Sequence, residues 1–235
     1  VLFLQNGLRI REDLCPGGDA AYEVVECVVP FNAVYDVKQG TTTLSQTLEE
    51  AELVLDGQSS SAATLAAMLT RASLRASPDS KLLDVQVGKL TLNMTNAVNA
   101  LSGLGIEPMF AQRQYRLVLA ASIAEAQAVF AAAGYSARAV KRQDALLLRF
   151  FVPILRLPSW LFMAAVGRKL RGRSEGRTSM AQDLLARRVP TEVGFLNGVV
   201  VRLGVVHGVP TPVNRRLLEL VEAAEQVNAG CPGIS

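Results

Sequence analysis

The chain has 235 residues, 50% of them hydrophobic and 19% charged, and its 24 Lys or Arg and 21 Asp or Glu leave a net charge of +3. This composition is typical of a globular chain of one or two domains, and it excludes a disordered, collagen-like or disulfide-scaffold protein. The single histidine, His207, argues against a catalytic triad or a multi-histidine metal site, since both need imidazole groups.

Short apolar runs rich in Val, Thr and Tyr occupy the chain from Val1 to about Ser77. We predict strands over Val1–Leu4, Val24–Pro30, Asn32–Val37, Thr41–Leu44 and Leu53–Leu55, with turns at 15–18, 38–40 and 56–57. A helix follows over Ala62–Ala72, and residues 73–77 return as one more strand. The first third of the chain is therefore predicted to be mainly strands with one helix.

From about Pro78 onward the apolar residues recur at helical spacing. We predict helices over Leu82–Leu101, Arg113–Ala133, Arg138–Arg149, Thr178–Arg187 and Thr191–His207, and a last one that Thr211 caps and that ends near Gly230. The apolar stretch Phe150–Val166 contains Pro153, Arg156 and Pro158, so we expect a buried helix there and no membrane span.

The three cysteines share no CxxC or Cys/His spacing, and no secretory signal pattern is present. We therefore expect a reducing, cytoplasmic setting and no metal. The segment Arg138–Arg188 is strongly basic, with twelve Lys or Arg against three carboxylates. Such a segment either attracts phosphates, nucleic acid or an acidic lipid surface, or is a solvated helix face, which is the commoner case.

Three polar residues share one stripe of the predicted helix Leu82–Leu101. At 100° per residue, Lys89, Asn93 and Asn96 fall within an arc of about 60°, on a helix that is otherwise mostly Leu, Val and Ala. Asparagine is a poor residue for the middle of a helix, so the pair needs a reason. Either the amides satisfy neighbouring backbone groups, or the stripe is a pocket wall where the lysine gives a proton and the amides hold substrate oxygens.

Three further candidates each have a structural alternative. Asn6 lies with Gly7 directly after an apolar strand, where it forms either a tight turn or part of a ligand crevice at the carboxyl end of the strand. Ser179 and Glu192 lie in the first turns of predicted helices, where they either cap the helix or face a ligand. Taken singly, each of these residues is more often structural than functional.

Taken in order, several stretches of the chain resemble the 2-dehydropantoate 2-reductase (ketopantoate reductase) family, and the resemblance runs over essentially all of the sequence. The matching stretches are 4–7 (LQNG), 29–32 (VPFN), 88–103 (GKLTLNMTNAVNALSG), 179–183 (SMAQD), 190–198 (PTEVGFLNG) and 208–214 (GVPTPVN). No single stretch is decisive, but their order and spacing make the assignment specific.

The resemblance implies reduction of 2-dehydropantoate to pantoate with NADPH, a step in pantothenate biosynthesis. By residue-wise comparison, Lys89 is the general acid that protonates the oxygen at C2 of the substrate. Asn93 and Asn96 position the substrate's oxygens, and Asn93 is the firmer match because the motif has length variants near Asn96 and Asn99.

The same resemblance assigns roles to residues elsewhere in the chain. Ser179 binds the substrate carboxylate. Glu192 is catalytic and fixes the cofactor or the lysine by hydrogen bonding. Asn6, together with the backbone at Ala33, borders the nicotinamide end of the cofactor NADP.

The chain also departs from the family's pattern. No GxGxxG follows a strand, although the family's first βαβ unit carries that phosphate-binding turn, so we expect a fragment that lacks the N-terminal part of the nucleotide-binding domain. The implied fold class is α/β plus all-α. Residues 1–78 are then the trailing part of a Rossmann-like NADP-binding domain, and residues 79–235 are a helical substrate-binding domain.

The implied partner is a small 2-keto acid, and we expect no nucleic acid and no membrane. An open sheet without its first strands exposes apolar edges, so we expect the chain to be poorly stable or to form a homo-oligomer. Two alternatives stay open. One is a related hydroxyacid dehydrogenase, because a lysine and an asparagine four apart on a helix also resemble the β-hydroxyacid dehydrogenases. The other is a non-catalytic helical remnant that binds a partner or an acidic surface through its basic segment.

Overall fold

A computed structural model describes residues 1–4, 6–8, 23–31, 33–36, 40–44, 51–139, 145–172 and 175–234. The chain forms two compact units, Val1–Gln86 and Val87–Ser235. The predicted turn at 15–18 and part of that at 38–40 lie outside the described residues. Each unit is described by itself below.

The first unit contains a four-stranded sheet of mixed direction, in the order β1-β2-β5-β6. Its strands are β1 (Leu2–Phe3), β2 (Val25–Val28), β5 (Leu53–Asp56) and β6 (Ala76–Asp79). The outer pairs are parallel, whereas β2 and β5 are antiparallel, with Cys27 opposite Leu55. The helix α1 (Ala62–Arg71) connects β5 to β6. Because strand side chains alternate between faces, the buried residues of β2 and β5 form one apolar face against α1.

A separate hairpin pairs β3 (Ala33–Asp36) with β4 (Thr41–Leu44) in antiparallel fashion. Gly40 stands at the end of its turn with φ +64, a left-handed conformation that glycine adopts without a steric penalty. The five strands predicted up to residue 55 are therefore confirmed. The sixth is real but begins at Ala76, later than predicted.

The second unit is helical in the residues that the structure describes. Its elements are α2 (Leu82–Asn93, which begins in the first unit), α3 (Thr95–Ser102), α4 (Ile106–Ala111), α5 (Arg113–Ala132), α6 (Ala145–Arg156), α7 (Ser159–Leu170), α8 (Ser179–Leu185), a 3-10 turn (Glu192–Phe195), α9 (Asn197–His207) and α10 (Pro212–Val227).

Helix α5 forms the centre of this unit. Its fully buried stripe, Leu119, Ala120, Ile123, Ala126, Val129 and Phe130, recurs at helical spacing, and α3, α4, α6, α9 and α10 pack against it. Within the described part of the chain, α5 is also the one helix long and apolar enough to cross a membrane, with 44% of its most apolar window buried. This is weak support for a membrane span, because a core helix passes the same test.

Between residues 138 and 170 the observed helices differ in extent from the predicted ones. Of the helix predicted over Arg138–Arg149, residues 138–139 are not helical, residues 140–144 lie outside the described part of the chain, and residues 145–149 belong to α6. The stretch Phe150–Val166, predicted as one buried helix, is divided between α6 and α7 at Leu157-Pro158, since a residue before proline avoids the helical conformation. It is also only partly buried, with Phe150 45% and Trp160 74% exposed.

Candidate active site

Helix α2 presents Lys89 and Asn93 on one partly exposed stripe. In the fully described stretch 85–94, only Lys89, Leu92 and Asn93 are not buried, whereas Val85, Leu90 and the other residues face the protein interior. Lys89 and Asn93 lie one turn apart, so their side chains emerge next to each other on the helix surface. The structure therefore places Lys89 and Asn93, two of the three residues of the predicted stripe, on one face of α2.

The stripe continues, with a break, into α3. The predicted single helix Leu82–Leu101 is divided at Met94, although the backbone N–H of Met94 still bonds the Leu90 carbonyl at 3.1 Å. Every residue of α3 is buried, and the two asparagines in it differ: Asn96 is 8% exposed and Asn99 is 0% exposed. Lys89, Asn93 and Asn96 thus occupy successive turns, and Asn96 is the most enclosed of the three.

A close backbone contact lies next to Lys89. A Cβ atom at Gly88 would be 2.0 Å from the carbonyl oxygen of Arg138, so the non-helical segment 135–139 lies directly against α2 at this glycine. Only a residue without a side chain permits that approach. The same contact explains why the helix predicted from Arg138 is wrong there, because the chain at Arg138 is packed against α2 instead of following its local helix propensity.

The start of α8 is anchored to α3 through Thr178, the N-cap residue of α8. The Asn99 carboxamide oxygen accepts hydrogen bonds from the Thr178 backbone N–H at 3.0 Å and from the Thr178 hydroxyl at 3.2 Å. The Thr178 hydroxyl also lies 3.5 Å from the carbonyl oxygen of Asn96. Ser179 is the next residue and the first of the helix, so the structure brings the Asn96 and Ser179 segments together.

Glu192 begins the 3-10 turn where a regular helix from Thr191 was predicted. Thr191 caps this turn, since its hydroxyl accepts from the Val193 N–H at 3.3 Å, and its own N–H bonds the Glu225 carboxylate at 2.6 Å. The turn packs against α9 and α10. Glu192 is partly exposed, and it directly follows the residue that caps this turn.

Asn6 and Ala33 belong to the first unit. Asn6 is half-buried and follows β1, and Gly7 after it has φ +118. Ala33 is the first residue of β3. The predicted roles of both residues toward a cofactor remain predictions.

Sequence reasoning missed a buried polar network around Asn214. The Asn214 carboxamide oxygen accepts from the Ser122 hydroxyl at 2.8 Å and from Asn197 Nδ2 at 2.9 Å, while its Nδ2 donates to the Ser122 carbonyl and the Glu125 carboxylate. Glu125 also accepts from the backbone N–H groups of Val213 and Asn214. Asn197 Nδ2 also lies 3.9 Å from the sulfur of Met94.

The prediction that Thr211 caps the last helix is wrong. Thr211 stands at the N-cap position of α10, but its side chain makes no capping hydrogen bond there. Glu125 of α5 takes over that role, and a carboxylate is favoured at the positive end of the helix dipole. The signal in the sequence was present in the buried asparagines themselves, since an asparagine within a helix needs a hydrogen-bonding reason.

Among the described residues, no group of three or more His, Cys, Asp or Glu side chains could hold a metal ion. Cys231 donates to the Ala181 carbonyl at 3.5 Å. Burial raises the pKa of this thiol, and the nearby Arg177 guanidinium offsets part of that effect.

Comparison with solved structures defines the fold class, which is a Rossmann-like α/β part followed by a helical part. A PanE/ApbA family ketopantoate reductase from Ralstonia eutropha has a TM-score of 0.74 at 26% identity, and the match covers 97% of this chain and 67% of that one. The D-mandelate dehydrogenase complex with NADH has a TM-score of 0.73 at 21% identity, covering 97% and 70%, which shows the fold alone. The predicted fold class is confirmed.

The family follows from the sequence match. The family model described as ketopantoate reductase PanE/ApbA C terminal matches residues 81–225, more than half of the chain. The chain therefore belongs to the ketopantoate reductase family, as the resemblance predicted. The matched range includes Lys89, Asn93, Asn96, Ser179 and Glu192.

Curated relatives match over shorter segments. The 2-dehydropantoate 2-reductase of Vibrio cholerae is 49% identical over 49 residues, which are 21% of this chain and 16% of that protein. The enzyme of the same name from Archaeoglobus fulgidus is 48% identical over 52 residues, which are 22% of this chain and 17% of that protein. These matches span about a sixth of the length of the curated relatives.

Proposed function

We propose that this chain takes part in the NADPH-dependent reduction of 2-dehydropantoate to pantoate. The observation that carries the proposal is that the family match includes a lysine and an asparagine one turn apart on the partly exposed stripe of α2. Residues 79–235 form the substrate-binding domain in this proposal, and residues 1–78 are the trailing part of the NADP-binding domain.

The residues present fit one end of the cofactor. No GxGxxG occurs in the sequence, so the turn that would hold the diphosphate is not among these residues. The Asn6-Gly7 turn follows the carboxyl end of β1, the edge at which open α/β sheets bind ligands, and it suits the nicotinamide end. When bound, the cofactor supplies the hydride.

In this proposal Lys89 holds and delivers the proton. Its ammonium group donates to the keto oxygen at C2 of the substrate, which becomes the hydroxyl oxygen of the product, and an ammonium is able to act as a general acid in this way. Asn93 and Asn96 donate amide hydrogens to substrate oxygens, and Ser179 binds the carboxylate. Glu192 orients the lysine or the cofactor by accepting a hydrogen bond.

The test is NADPH oxidation in the presence of 2-dehydropantoate, run on the 235-residue chain and on any longer product of the same reading frame. We expect Lys89→Ala to lower kcat by about 10²–10⁴-fold, the usual contribution of a positioned general acid. Lys169→Ala is the matched control, since Lys169 is exposed on α7, and it should leave the rate unchanged.

A panel of substrates and cofactors decides the finer assignment. The same assay is repeated with NADH and with the 2-keto acid that corresponds to mandelate. A higher kcat/KM for that acid or for NADH would replace the proposed substrate or cofactor. If Lys89→Ala keeps the wild-type rate, the proposed role of the lysine is wrong. If no cofactor is oxidised with any of these substrates, the reductase assignment is wrong.

A further inference from the structure

Asn99 is fully buried in α3, and its carboxamide is committed to the protein itself. Its oxygen accepts from two donors of Thr178, the backbone N–H and the hydroxyl, and its Nδ2 donates to the Leu104 carbonyl at 2.9 Å. A second contact joins Nδ2 to the Met109 sulfur at 3.7 Å. With 0% of its surface exposed, Asn99 is enclosed by these partners and is not placed to bind a substrate itself.

Further hydrogen bonds hold the junction between α3 and the start of α8. Arg177 donates to the Gly103 carbonyl at 2.6 Å and to the Leu104 carbonyl at 3.1 Å, so Leu104 is shared between Arg177 and Asn99. Gln182 of α8 donates to the Arg177 carbonyl at 3.0 Å, and this bond holds the segment that leads into α8. The backbone just before Ser179 is therefore held at several points.

The clamp of Asn99, Arg177 and Thr178 lies between two residues of the proposed site. Asn96 is three positions before Asn99 on the same helix, and Ser179 directly follows Thr178. A change in the Asn99–Thr178 bonds would move the two site residues relative to each other. No other side chain of similar size offers both an acceptor for two donors and a donor for the Leu104 carbonyl.

We propose that Asn99 is a positioning residue that sets the separation of Ser179 from Asn96 and thereby the fit of the substrate carboxylate. This inference rests on the proposed function. It gives the three asparagines of the stretch 88–103 different roles. Asn93 and Asn96 face the substrate, and Asn99 holds the junction between α3 and α8.

The test is a double-mutant cycle on pantoate binding to the whole chain, measured by isothermal titration calorimetry. We expect Ser179→Ala alone to weaken pantoate binding about tenfold, the worth of one charge-assisted hydrogen bond. In the Asn99→Ser background, where Ser179 is already misplaced, the same change should weaken binding by less than about threefold, because coupled residues give non-additive effects.

Matched variants separate positioning from loss of stability. Ser122→Ala removes a buried hydrogen bond elsewhere in the same unit, so it should lower the melting temperature yet leave the full effect of Ser179→Ala. Thr178→Ser keeps the hydroxyl that bonds Asn99 and should preserve wild-type affinity, whereas Thr178→Val should act like Asn99→Ser. Thr178→Val also provides the cycle if Asn99→Ser does not fold.

The outcomes distinguish this inference from the proposed function. If the wild-type chain binds pantoate and Ser179→Ala has its full effect in both the Asn99→Ser and Thr178→Val backgrounds, the positioning role is overturned while the proposed function stands. If the wild-type chain does not bind pantoate, the proposed substrate site and the positioning role fall together. Loss of the Ser179 effect in these backgrounds, with Ser122→Ala additive, supports the inference.

Discussion

Gly88 offers a direct test of the contact that places residues 135–139 against α2. Gly88 has ordinary helical backbone, so alanine would be the better helix residue and would by itself stabilise α2 by about 1 kcal/mol. The added Cβ, however, would lie 2.0 Å from the Arg138 carbonyl oxygen and 2.7 Å from its carbon. Both are backbone atoms, which have no rotamer that would relieve the overlap.

The two effects differ in sign and size. Forcing extra volume into packed structure costs about 1–3 kcal/mol, which exceeds the gain in helix propensity. We therefore expect Gly88→Ala to lower the free energy of unfolding by about 1–2 kcal/mol and the melting temperature by about 2–8 °C. Because the contact lies next to Lys89, the variant should also lower kcat.

Gly167 is the matched control, a glycine inside α7. A Cβ there meets the Met163 Cε at 3.3 Å, the far end of a flexible side chain. Gly167→Ala should therefore keep most of the helix-propensity gain and raise stability by up to about 1 kcal/mol. Urea unfolding followed by circular dichroism measures both variants. If Gly88→Ala is as stable as Gly167→Ala, the crossing of α2 by residues 135–139 is wrong.

Three further variants test other features. Arg116 is 1% exposed, and its guanidinium donates to the carbonyls of Leu155 and Leu157 and to the hydroxyl of Ser159. Arg116→Met would leave these groups unpaired and should lower the free energy of unfolding by about 2–3 kcal/mol in urea titrations. Hydrogen bonds from Ser61 and Ser60 lower the pKa of Glu23. Its contribution to stability is therefore present above the unfolded-state pKa and is lost as the pH falls through the lower folded-state value. Glu23→Gln should reduce this loss of stability at acid pH, as measured by melting temperatures over a range of pH. Asn228→Gly should raise the free energy of unfolding by about 0.5 kcal/mol, and with it the melting temperature, because this C-cap residue has φ 49, a conformation that glycine adopts more readily.

Local patterns in the sequence were sufficient for most of the fold. Alternating apolar residues predicted the strands, and helical spacing predicted α5 almost to its ends because Gly134, at φ +75, terminates it. Arg138 shows where such reasoning fails. Its segment has helix-forming residues, but contact with Gly88, fifty positions earlier, decides its conformation, and no local pattern carries that information.

The candidate site shows the same division. Lys89 and Asn93 could be placed on one face of a helix from spacing alone, because both lie on a regular stretch of α2. Spacing placed Asn96 on the same stripe and left Asn99 off it, but only the structure shows that Asn96 is buried and that Asn99 is bonded to Thr178. The role of Asn214 depends on residues about ninety positions away, so only the folded structure reveals it.

The Asn214 network has a consequence for the kinetics of folding. Its bonds to Ser122 and Glu125 join residues 92 and 89 positions apart, so a long loop must close before either bond can form. Contacts of this separation slow folding relative to those made between adjacent helices. We therefore expect the helices of the second unit to form early from local sequence, and the docking of α10 onto α3 and α5 to follow as a slower step.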